Sequence, residues 1–133
     1  MHTQDKQKML TIDTRDSRPI YQQVVDGIKE AIARGELKEG AALPPVRQLA
    51  ADLGVNLNTI ATAYRELQKE GLLTVKHGSG AVVTSRKAVH RNEGELLRSL
   101  RIGLTELVLA GLPRSKIMHL VARELRTIAK GTK

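Results

Sequence analysis

Apolar residues recur along this chain with two different periods, and the switch between them lays out its elements. Ile20, Val24, Ile28 and Ala31/Ile32 recur at helical spacing behind Pro19, whose missing N–H costs nothing in a first turn. Gly35 supplies the C-terminal stop. Residues 35–45 form a turn-rich connector, and Pro45 opens a short helix that turns Leu49, Ala50 and Leu53 inward and ends at Gly54. Asn56 or Asn58 caps a third helix, whose inward face is Ile60, Ala63, Tyr64 and Leu67 and whose stop is Gly71. The runs Leu72–Val75 and Ala81–Thr84 are β-rich and flank Lys76-His77-Gly78-Ser79-Gly80, which predicts a hairpin. Residues 85–92 read as a polar, basic linker. Beyond it, Leu96, Leu97, Leu100, Leu104, Leu107 and Val108 form a broad apolar stripe. Gly111-Leu112-Pro113 breaks that stripe, and Ile117, Val121, Leu125 and Ile128 form another. Tyr21 and Tyr64 are expected in the core, with their hydroxyls at its edge.

This order predicts a mainly α fold with a small β-hairpin: a winged helix-turn-helix over residues 10–85, then a short two-helix segment over 93–130. The design answers a dimension. A DNA major groove is about 12 Å wide and admits one helix, which a preceding helix braces and a hairpin flanks. Small residues in Ala50-Ala51-Asp52-Leu53-Gly54-Val55 let two helices approach, and Gly54 takes the bend.

Composition narrows the chemistry. The 133 residues include no Cys, Phe or Trp, so thiolate sites are excluded and the core is aliphatic. That composition fits a reducing cytoplasm. No apolar run approaches the ~20 residues that span a bilayer, and the polar Met1–Lys8 stretch predicts no secretory leader. His2, His90 and His119 are scattered and acids are not clustered, so neither a metal site nor a cofactor is expected. Net charge is +8, which favours a polyanionic partner. The excess is uneven: residues 1–86 carry 12 Lys+Arg against 10 Asp+Glu, residues 87–133 carry 10 against 4.

The residues also carry a likeness. Pro19-Ile20-Tyr21-Gln22-Gln23, Ile32 through Gly35, Gly40, Leu43-Pro44 and Arg47-Gln48-Leu49-Ala50 resemble the GntR family of bacterial regulators. So do Leu53-Gly54-Val55-Asn56, Asn58-Thr59-Ile60, Ala63 through Leu67, Glu70-Gly71-Leu72-Leu73 and Gly78-Ser79-Gly80. The Val-Asn-x-Asn-Thr version with a short two-helix tail is similar to the YtrA-like subfamily. The resemblance implies a sequence-specific DNA-binding regulator, a repressor acting as a homodimer on a palindromic, double-stranded operator. It implies a C-terminal segment that dimerises or senses a ligand. The leucine content of the C-terminal helices points to pairing through them, the alternative being that they cover their own winged domain. The lack of a phosphate-binding Gly loop, paired acid/base carboxylates or a Ser/His/Asp set predicts no catalysis. Residues 87–133 are too few for a metabolite-binding domain, and an effector is not readable. Arg47 is expected on a base edge or phosphate. Asn56, Asn58, Thr59 and Thr62 are expected on bases or phosphates, and Arg65 on phosphate. Lys76, His77 and Gly78 are expected at the minor groove. The chain departs from the family at Pro45, where many members have Ser, and at Leu57 and Ala61, where some carry Arg. Guanine readout then falls to Arg47 or Arg65, or is weak. The competing reading is a winged module that binds protein and not DNA.

Overall fold

The computed structural model describes residues 10–76, 80–87 and 92–129. The chain forms two compact units, Met1–Val89 and His90–Lys133.

The first unit holds three helices: α1 (Ile20–Ala33), α2 (Val46–Leu53) and α3 (Leu57–Lys69). Pro19 and Pro45 stand as N-caps of α1 and α2, where a residue without an N–H leaves nothing unsatisfied. At the end of α2, Gly54 adopts φ 69°, and the Val55 N–H closes on the Ala50 carbonyl at 3.0 Å. That left-handed stop is the sharp bend of the helix-turn-helix. The Asn56 side chain accepts from the Asn58 N–H at 2.7 Å, so of the two candidate caps Asn56 is the one used.

Three strands follow from the same unit: β1 (Ala42–Leu43), β2 (Leu73–Lys76) and β3 (Gly80–Val83), in the order β1-β3-β2, all antiparallel. The expected hairpin is therefore the larger part of a three-stranded sheet. The added strand comes from the connector 35–45, where Ala42 pairs Val82 and Leu43 pairs Ala81. Two residues are too few to show a period of two, so pattern alone does not reveal this strand.

One apolar cluster joins these elements. Val24, Ile28 and Ile32 of α1 meet Leu49 of α2, Ile60, Tyr64 and Leu67 of α3, Leu43 of β1 and Val83 of β3. The Tyr64 hydroxyl donates to the Pro44 carbonyl at 2.7 Å, and burial pushes its pKa upward. Gly80 sits at φ 86°, and a Cβ there would stand 2.7 Å from the Leu43 carbonyl oxygen and 3.1 Å from the Pro45 nitrogen. Wing, α2 and α3 thus meet at Leu43–Pro45.

The stretch before α1 is tied down by a buried glutamine. Gln23 accepts from the Asp13 N–H at 2.9 Å and donates to the Asp13 and Arg18 carbonyls. Arg18 in turn bridges Asp16 and Asp26.

The second unit is a pair of helices, α4 (Glu93–Leu109) and α5 (Arg114–Ile128). Asn92 caps α4 through the Glu95 N–H at 2.9 Å, and Gly111 turns the chain at φ 90°. Ile117 is buried, whereas Leu96, Leu97, Leu100, Val108, Met118 and Leu125 are exposed.

Candidate nucleic-acid interface

Helix α3 divides cleanly. Ile60, Ala63, Tyr64 and Leu67 are buried, which holds the opposite face outward. Asn58 and Arg65 are exposed on it, with Thr59 and Thr62 half-buried at its edge. Arg65 Nη2 donates to Thr62 Oγ1 at 3.2 Å, one helical turn back, which lays the guanidinium along the helix. With Asn56 occupied as the cap, the side-chain amide of Asn58 has no hydrogen-bond partner among the described residues. The expected residues Asn56, Asn58, Thr59, Thr62 and Arg65 thus all stand on α3 or its N-cap.

The remaining expected residues stand on other elements. Arg47 is exposed in the first turn of α2. Lys76 is exposed at the end of β2, opposite Gly80. His77 and Gly78 lie outside the described residues.

Neither α2 nor α3 has an acidic residue in its first turn. A helix start carries a partial positive charge on its unpaired N–H groups, and an acid there would both neutralise it and repel phosphate. Helix α4, by contrast, opens with Glu93 and Glu95. Among the described residues, no group of three His, Cys, Asp or Glu could hold a metal ion.

One reading of the sequence needs correcting. Tyr21 is not in the core; it is 36% exposed, and Ile20 is 40% exposed. The buried stripe of α1 starts at Gln23 and Val24, so its first turn overhangs the core. Pro19, Ile20 and Tyr21 line a shallow hollow of about 400 Å³ together with Asn58, Thr59 and Thr62. Sequence reasoning missed this neighbour because residues 20 and 21 lie one turn before Val24 and fit the inward periodicity. A helix start projecting past its core leaves no mark in that periodicity.

Residues 20–83 match the family described as bacterial regulatory proteins, gntR family. The HTH-type transcriptional repressor YtrA of Bacillus subtilis is 33% identical over 129 residues, which are 94% of this chain and 98% of that protein. The chain belongs to the GntR family. It is a transcription regulator of YtrA-like build, with a winged helix-turn-helix. Two solved structures agree with this GntR fold. A transcriptional antiterminator from Listeria monocytogenes EGD-e has a TM-score of 0.79 at 29% identity, covering 96% of this chain and 97% of its own. YtrA from Sulfolobus acidocaldarius, a GntR-family transcription factor, has a TM-score of 0.60 at 37% identity, covering 74% and 99%. No helix among the described residues is long and apolar enough to cross a membrane.

Proposed function

We propose that this GntR regulator binds a palindromic, double-stranded operator as a homodimer in the cytoplasm, represses the adjoining genes and catalyses no reaction. The observation that carries the reading is the outward face of α3: Asn58, Thr59, Thr62 and Arg65 lie opposite a fully packed face, at a helix start free of acids. In this assignment residues 10–85 hold the duplex. Asn56, Asn58, Thr59 and Thr62 meet base edges and phosphates in the major groove, with Arg65 on phosphate and Arg47 on a guanine or phosphate. Lys76, His77 and Gly78 approach the minor groove, where a cation meets enhanced negative potential.

Residues 93–130 serve as the dimer seam. Their support is the bare apolar surface of α4 and α5, where Leu100 is 51% and Val108 59% exposed, and a crevice lined by Leu104, Val108, Leu112, Ile117 and Met118. Exposed apolar area of this kind calls for a partner, and a second copy offers the same surface for isologous pairing.

The test selects duplexes from a random library with the full chain and titrates the winner by fluorescence anisotropy. Arg47→Ala is expected to weaken binding about tenfold or more, as loss of a base-reading arginine does, while sedimentation still shows a dimer. Affinity should fall steeply with salt as counterions are released. Failure to enrich any duplex, or binding indifferent to salt, would transfer the fold to the protein-binding alternative.

A further inference from the structure

Residues 85–92 have the composition of a plain linker, yet their first three residues are built into the winged unit. Thr84 N–H donates to the Leu72 carbonyl at 2.8 Å. Arg86 then reaches back more than fifty residues: Nε donates to the Ile32 carbonyl at 3.2 Å and Nη2 to the Ala33 carbonyl at 3.1 Å. These carbonyls belong to the last turn of α1, where the Ile32 carbonyl also accepts from the Gly35 N–H at 3.1 Å. One guanidinium fork thus bonds two neighbouring carbonyls and places a cation at the negative end of the helix. The Arg86 N–H donates to Glu39 Oε2 at 3.2 Å. Ser85 and Lys87 close a small turn between themselves, with the Ser85 hydroxyl donating to the Lys87 carbonyl at 3.1 Å and accepting from its N–H at 2.9 Å.

The helix that Arg86 grips supports α3. Val24 and Ile28 share the core with Ile60 and Leu67, and Lys29 Nζ pairs Glu70 Oε1 at 2.8 Å. The point where the chain leaves the winged unit is therefore fixed to the element behind the proposed reading helix. Four residues separate Lys87 from Asn92. Fully extended, such a tether spans about 18 Å at most. A short tether transmits the position of its root, and a root free to swing would add its own range to the distance between two paired reading helices.

We infer that Arg86 is a positioning residue that sets the separation of operator half-sites, by anchoring the root of the tether to the C-terminus of α1. This rests on the dimer reading above and deepens it: the C-terminal pair supplies the second reading helix, and Arg86 restricts where that helix can fall. Arg86 touches no DNA in this role.

The experiment uses the full chain and a series of duplexes in which base pairs are added or removed between the half-sites of the selected operator. Adding two base pairs turns one half-site about 70° around the duplex and moves it about 7 Å. Wild type is expected to prefer its selected spacing at least about tenfold over that duplex, and Arg86→Gln to reduce the preference to about threefold or less. Arg86→Lys, which keeps the charge and loses the fork, should fall between them. Glu39→Ala removes the acceptor of the Arg86 N–H at an exposed position and should shift the ratio in the same direction by a smaller factor, in a protein whose core is untouched. An end cap that only adds stability would lower affinity for every spacing alike and leave the ratio unchanged; that result in Arg86→Gln and Glu39→Ala overturns the proposal. A wild type indifferent to spacing would overturn the paired half-sites themselves, a failure the same titration separates from the first.

Discussion

The helices of both units carry apolar stripes, but the two units bury them to very different extents. In the winged unit the stripes of α1 and α3 close on each other, and Val24, Ile28, Ile60 and Leu67 are 0% exposed. In the C-terminal unit the stripes of α4 and α5 meet only in part, and Leu96, Leu100 and Val108 remain 52%, 51% and 59% exposed. Three helices and a sheet can surround a core; two helices cannot, because each has one neighbour for a face that needs more. A stripe in sequence therefore reports an apolar helix face, without reporting whether its own chain covers it.

The largest expected effect breaks this contrast directly. Leu67→Ala should destabilise the winged unit by about 3 kcal/mol in urea unfolding, the transfer loss plus an unfilled cavity. Leu100→Ala, at low protein concentration, should change stability by no more than about 0.5 kcal/mol. As the concentration rises, its unfolding midpoint should fall increasingly behind that of wild type if the proposed pairing covers the residue. Equal and concentration-independent losses would erase the distinction between the units.

Two glycines sharpen it. Gly80 and Gly111 both have positive φ, but a Cβ on Gly80 meets backbone at 2.7 Å while one on Gly111 meets nothing within 4 Å. Gly80→Ala should cost about 2 kcal/mol or more, since the conformational penalty and the contact add, and Gly111→Ala about 1 kcal/mol. Thermal unfolding of the two variants gives the ranking, and a reversed order would contradict the packing at Leu43–Pro45.

The smallest effects belong to the caps. Asn56→Ala and Asn92→Ala each remove one side-chain acceptor from a helix start, at about 1 kcal/mol. In the winged unit the loss should appear in the cooperative unfolding transition. In the C-terminal pair it should appear as reduced far-ultraviolet helicity in dilute protein, where few contacts from elsewhere hold α4 in shape.

Most of the winged fold was legible because its signals are local. The inward face of α3, the stop at Gly54 and the cap at Asn56 or Asn58 are each written within a few residues, and the structure had only to choose between the two asparagines. The features that escaped depend on partners far along the chain. Ala42–Leu43 becomes a strand because β3 lies beside it, Arg86 is ordered by carbonyls of α1, and Tyr21 is exposed because the core starts one turn later. The site divides likewise. Asn58, Thr59, Thr62 and Arg65 share a face because helical spacing requires it. The nearness of Ile20 and Tyr21 to that face follows from how α1 lies on α3, which no spacing encodes.

The junction at Leu43–Pro45 bears on how such a protein meets its target. It receives Gly80 of the sheet, the hydroxyl of Tyr64 and the first turn of α2 within three residues, so these parts form one rigid template. A duplex of unfavourable groove width would find little give in the backbone. On the proposed reading, accommodation would fall to the exposed long side chains Arg47, Arg65 and Lys76, and beyond their reach the nucleic acid would have to bend.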